Sequence, residues 1–113
     1  MENVIKILAI RRDENPCLMH INNELEEIQK FVGGYIEVVP LTENILLICN
    51  EEGKIKGLKP SCIVWRGNVF DSINGDCFLC GIDGEEFTDY PEGAEISVEK
   101  MTHIEVPAIT IGG

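Results

Sequence analysis

Two pairs of residues in this 113-residue chain have the types and spacing that chemistry uses: Cys77-x-x-Cys80 and Cys17-x-x-His20. Together they would supply four zinc ligands, and the Cys-x-x-Cys alone a dithiol redox pair. Both pairs fall in stretches that read as strands, residues 17–21 and 77–82, where positions three apart point to opposite faces. Structural zinc knuckles sit on tight turns instead. Cys77 and Cys80 also stand among Phe78, Leu79 and Ile82, company in which a free thiol packs as a small hydrophobe. The expectation is therefore no metal and no cofactor.

Other catalytic signatures are equally thin. A Cys or Ser nucleophile needs a base, and only His20 and His103 are available, neither in a recognisable motif. Glu51-Glu52 and Glu85-Glu86 are sequence neighbours whose side chains diverge in extended or turn structure, so they read as solvated. Gly33-Gly34 follows a helix rather than opening one, so it is not a phosphate loop. The terminal Ile111-Gly112-Gly113 is similar to a conjugation tail, but nothing else is ubiquitin-like. The chain is read as non-enzymatic, with no catalytic residue.

Charge offers two candidate surfaces. Lys54, Lys56, Lys59 and Arg66 are four of nine basic residues within thirteen positions. Beside Tyr35 and Trp65 they would make a cationic pocket wall for a small anionic, nucleotide-like ligand. The competing reading is a lysine-decorated edge strand that discourages sheet-to-sheet aggregation. The opposite charge lies further on: the formal net charge is −11, with net −2 over residues 1–70 and net −9 over residues 71–113. Asp83, Glu85, Glu86 and Asp89 lie in that acidic part, and they are the candidate surface for a basic host protein. Direct binding to nucleic acid or to an anionic membrane is disfavoured by this field.

The elements that must position these groups are legible in places. Residues 4–10 form an apolar strand, and after a polar turn residues 17–21 form a second. Asn23 is a good N-cap with Glu26 closing a capping box, and the helix over residues 24–32 presents Leu25, Ile28, Phe31 and Val32 on one face. Leu25, Ile28 and Phe31 should pack on a sheet. Gly33 should end the helix in the left-handed region. Tyr35 to Val39 alternates as a strand, residues 45–49 read as a buried one, and Asn50-Glu51-Glu52-Gly53 reads as a hairpin turn with a left-handed Gly53. Residues 54–58 would return as a partly exposed strand, residues 61–65 as a strand or helical turn, and residues 77–82 as the last core strand. Ile96, Val98, Ile104 and Val106 fit a period of two.

The expected fold class is α+β: a single domain over residues 1–113, with a mainly antiparallel sheet of four to six strands and one short amphipathic helix packed on it. Residues 85–113 form its acidic C-terminal segment. At 44% hydrophobic residues the chain can bury a core. No apolar run reaches the roughly 18 residues of a membrane span, and the odd count of five cysteines suits reduced thiols, so a cytoplasmic protein is expected.

The stretches Leu25-Glu26-Glu27-Ile28-Gln29-Lys30-Phe31-Val32-Gly33-Gly34-Tyr35-Ile36-Glu37-Val38-Val39-Pro40 and Asn50-Glu51-Glu52-Gly53-Lys54-Ile55-Lys56-Gly57-Leu58 carry a resemblance. They are similar to a family of small bacterial and phage-borne proteins known as a domain of unknown function. The likeness extends over roughly residues 4–90, to Gly84-Glu85-Glu86-Phe87. It implies this fold and a phage or mobile-element setting, and it brings no activity. Relatives of this kind carry a Pro-Asn-Arg-like run where this chain has Pro60-Ser61-Cys62, so a polar contact made there by Asn and Arg is not carried over.

Overall fold

A computed structural model describes residues 3–93, 97–100 and 107–111. Among these residues ten strands and one helix follow in the order β1 (Val4–Ile10), β2 (Cys17–Asn22), α1 (Leu25–Val32), β3 (Ile36–Pro40), β4 (Ile45–Asn50), β5 (Pro60–Arg66), β6 (Val69–Asn74), β7 (Cys77–Asp83), β8 (Glu86–Thr88), β9 (Ser97–Lys100) and β10 (Pro107–Ile111). The fold is α+β, as the pattern of apolar residues implied.

The central sheet runs β2-β1-β7-β4-β3, with β8 also paired to β7, and all its pairings are antiparallel. Strand alternation divides its side chains between two cores. Ile5, Ile7, Ala9, Leu46, Ile48, Phe78 and Cys80 meet Ile28 and Val32 of α1 on one face. Ile10, Ile45, Leu47, Cys49, Cys77 and Leu79 meet Cys62, Val64, Ile73 and Ile109 on the other. That second layer is a separate sheet, β6-β5-β10-β9, in which β10 runs parallel to β5. The expectation of one sheet is corrected here: strands β4 and β7 are buried on both faces because each face has its own cover.

The helix ends as expected but starts differently. Gly33 has φ +83°, and both Gly33 and Gly34 donate their N–H groups to the Gln29 carbonyl, at 2.8 and 3.0 Å. At the other end the capping residue is Glu24, with no side-chain cap. Asn23 instead donates its side-chain amide to the Phe87 carbonyl at 3.2 Å, so a tertiary hydrogen bond displaces the local cap. Ile28 and Val32 are buried and Phe31 packs edge-on to Phe78, with centroids 5.4 Å apart. Leu25 is 59% exposed and does not pack on the sheet, because the eight-residue helix reaches it only with its later turns.

The return strand expected at residues 54–58 is absent: residues 51–57 form a coiled turn. Lys56 donates its N–H to the Glu52 carbonyl at 2.9 Å and Leu58 donates to Gly53 at 3.0 Å, while the left-handed glycine is Gly57 rather than Gly53. The physical reason is topological. β4 is already flanked by β3 and β7, so the chain leaving it crosses to the second sheet. Gly53 makes that crossing against β6, where a Cβ would overlap the Asn74 carbonyl. The segment over residues 61–65 is strand β5, and β6 follows it through a two-residue turn at Gly67-Asn68.

Val98 lies in β9, which pairs with β10. Ile96, His103, Ile104, Val106, Gly112 and Gly113 lie outside the described residues. No helix among the described residues is long and apolar enough to cross a membrane.

Candidate functional site

The two sheets part on one side of the molecule. Between β3–β4 on the central sheet and β5–β6 on the other lies a cleft of about 480 Å³, roofed by the turn at residues 51–57. Among the described residues β3 and β6 are the terminal strands of their sheets, so the cleft sits between two sheet edges. Its inner walls are Val39, Val64 and Ile73, and Ile55, Val69 and Phe70 at its mouth are 85%, 71% and 57% exposed. All six residues of β6 line it. Because successive side chains point to opposite faces, only a cleft that follows the strand's backbone edge meets all six.

The cleft's cations are committed. The Lys54 ammonium pairs with the Asp71 carboxylate, and Arg66 donates from its guanidinium to the Pro40 carbonyl at 2.5 Å. Glu37, Glu51 and Asp71 face these two cations, so the lining carries more acid than base. Cys49 stands at the inner wall with its sulfur 3.8 Å from a Glu37 carboxylate oxygen. Burial, then the Glu37 charge, pushes its thiol up to about 12, so it stays protonated. A thiol raised in this way is a poor nucleophile.

Of the residues expected to form a cationic pocket, the structure brings Lys54 and Arg66 into the cleft and places the other four elsewhere. Tyr35 is 68% exposed just ahead of β3. The Lys56 ammonium lies against Gly34 at the C-terminal end of α1, where a cation complements the helix dipole. Lys59 lies in a shallow hollow with Arg11, Arg12 and Asp76. Trp65 is on the outer face of β5, its ring 5.0 Å from its cross-strand partner Phe70. Lys54 and Lys56 do not decorate an edge strand, since they belong to the turn.

The two sequence motifs meet at one joint. Asn50, itself buried, donates its side-chain amide to the Val32 carbonyl at 3.1 Å and accepts the Glu52 N–H at 2.8 Å. Glu51 donates its N–H to the Tyr35 carbonyl at 2.9 Å. The motifs thus fasten the helix end to the turn that roofs the cleft. Sequence reasoning missed Glu37, Cys49, Asp71 and the whole of β6; only Gly67-Asn68, a two-residue turn pair between Arg66 and Val69, signalled that hairpin.

The candidate zinc ligands do not converge. Cys77 belongs to the core under the second sheet and Cys80 to the core under the helix. Cys17 and His20 are exposed on β2, across the sheet. Cys77 lies instead 3.9 Å from Cys62 and 3.5 Å from the Ser61 hydroxyl. The Cys62 contact first, and burial second, hold its thiol well above the ordinary value. Among the described residues no cluster of three or more ligating side chains occurs.

The acidic candidates divide as well. Asp83, Glu85 and Glu86 are exposed together on the β7–β8 hairpin, with no ion-pair partner among the described residues. Asp89 is committed: its carboxylate accepts the Lys6 N–H at 2.8 Å, and the Lys6 carbonyl accepts the Tyr90 N–H at 2.7 Å. It tethers the chain after β8 to β1.

A family model described as a domain of unknown function (DUF3846) matches residues 5–103, which include both motifs and every strand from β2 to β9. No curated protein matches the chain. No solved structure matches it either.

Proposed function

The chain belongs to the DUF3846 family, a domain of unknown function, and from that premise, which supplies no activity, we propose that it is a non-enzymatic interaction protein that occupies a basic host protein in a phage or mobile-element setting. The carrying observation is the hairpin that holds Asp83, Glu85 and Glu86 exposed and unneutralised by any described residue, on a chain of net charge −11. Such a surface raises encounter rates with a basic partner, and the attraction weakens as salt shortens the screening length to about 10 Å at 0.1 M. Burial and the Glu37 charge keep the Cys49 thiol protonated, which makes it a poor nucleophile in the cleft.

A second reading rests on the cleft itself, whose volume falls within the range of small-molecule sites. An anionic, nucleotide-like ligand there would have to compete with Asp71 for Lys54 and with the Pro40 carbonyl for Arg66. That cost places it behind the first reading.

The test is a pull-down from host lysate with the wild-type chain and with the triple variant Asp83→Asn, Glu85→Gln, Glu86→Gln. A partner that is lost from the triple variant, and released from wild type by salt, supports the proposal. A partner retained equally by both, with the same salt dependence, contradicts it.

A further inference from the structure

We infer that the β6 edge of the cleft is a strand-addition site, taking an extended segment of another protein in which basic and apolar side chains alternate. The inference rests on the reading of the chain as a protein-binding module and adds to the acidic hairpin a second contact, an edge along which a segment of the partner is held.

Among the described residues β6 pairs only with β5. The two-residue turn makes Arg66–Val69 the closing, hydrogen-bonded pair of that hairpin, so pairs alternate from there. The N–H and C=O groups of Phe70 and Ser72 therefore turn away from β5, toward the cleft. Proteins blunt such edges with lysine, proline or bulges. The facing edge, β3, carries such devices in Glu37 and Pro40. β6, Val-Phe-Asp-Ser-Ile-Asn, has no lysine or proline, and it exposes Val69 and Phe70. Its one charge, Asp71, is neutralised by Lys54, and the turn over residues 51–57 meets the strand at Asn74, beyond Phe70 and Ser72.

The cleft also says which segment fits. A strand laid along β6 sends alternate side chains into the gap between the sheets and the others outward. Those entering the gap meet Glu37 and Glu51, carboxylates without an ion-pair partner among the described residues, so basic side chains are complementary there. Those on the outer side lie beside the exposed Phe70, where apolar side chains gain most. Main-chain hydrogen bonds would supply affinity and this alternation specificity.

The probe is a capped, fluorescently labelled octapeptide of alternating lysine and valine, titrated into the full chain. Two N-methylated forms, one methylated at every lysine and one at every valine, accompany it. Strand addition predicts that the parent peptide binds and that one methylated form loses binding while the other keeps it, because only alternate amides face β6. Ser72→Pro, which removes an outward N–H on an edge strand where proline is tolerated, should also lose the peptide. If that variant fails to fold, the methylated pair still decides. Glu37→Gln with Glu51→Gln should weaken binding and flatten its salt dependence. No binding of the parent peptide at low salt overturns the inference, as does equal binding of both methylated forms. Self-association through β6 that the peptide does not displace also overturns it and makes a second copy the occupant. Loss of the peptide in the hairpin triple variant, with Ser72→Pro unaffected, overturns the docking mode while leaving the protein-binding reading standing.

Discussion

The two faces of the central sheet are built from the same alternating strands and end up with different characters. Under α1 the core is close-packed, although Phe31 also lines an open hollow between the helix and β2: Phe31 meets Phe78 edge to face, Ile28 and Val32 are buried, and Arg11 lies over the Phe31 ring at 5.0 Å. Under the second sheet the core carries three of the five thiols and Ser61, and it opens between β3 and β6 into a cleft. A helix a single turn wide can follow the twist of the sheet it covers. Two sheets, each twisting on its own, part toward an edge, and a site forms where they part.

The largest expected effect sharpens that contrast. Phe78→Ala leaves a cavity in the close-packed core under α1 and should cost about 3–5 kcal/mol in urea unfolding. Val69→Ala, at the mouth of the cleft, should change stability by no more than about 0.5 kcal/mol. Comparable losses at the two positions would mean that the cleft is as well packed as the core. Gly53→Ala comes next, at about 1–3 kcal/mol, because its Cβ meets the Asn74 carbonyl and must push the roof of the cleft off β6. An unaltered urea midpoint would show that the roof is not seated on β6.

On the helix side, Gly33→Ala should cost about 1 kcal/mol, since φ +83° strains any residue with a Cβ. Leu25→Ala is the control, expected within about 0.5 kcal/mol because the side chain is exposed. A loss at Leu25 as large as at Gly33 would place that side chain in the core after all. The smallest effect at neutral pH comes from the thiols. Burial holds Cys80, and burial with Glu37 holds Cys49, protonated up to about 12, whereas in the unfolded chain each titrates near 9. Between those values the unfolded chain has released protons that the folded chain keeps, so stability falls as pH rises from about 9 toward 12 and is unaffected below. Urea midpoints across that window should fall less steeply for Cys49→Val with Cys80→Ala; an identical slope would refute the assignment.

What the sequence disclosed follows the same division. β1, β4 and β7 were legible because continuous apolar runs between turn residues have few alternative structures, and α1 because its stripe and Gly33 agree. Asn23 misled because a local capping rule competes with the carbonyl of Phe87, sixty-four positions away. The turn at residues 51–57 misled because a glycine after polar residues reads as a hairpin, and nothing local says that β4 has no free edge to receive the returning strand. The cleft was half legible: Lys54 and Arg66 were singled out, but Asp71 and Glu37, which set the sign of its lining, come from strands brought together only by the layering of the sheets. Charge clustered in sequence was a poor guide to charge clustered in space.

Amide hydrogen exchange along β6, with and without the alternating lysine–valine peptide, tests the central claim most directly. In the free chain Asp71 and Ile73, whose N–H groups face β5, should exchange slowly, while Phe70 and Ser72 should exchange fast. On peptide binding Phe70 and Ser72 should become protected, with Asp71 and Ile73 little changed. Protection that appears instead at residues 83–86, with Phe70 and Ser72 still exchanging fast, would contradict strand addition at β6 and leave the acidic hairpin alone as the docking surface.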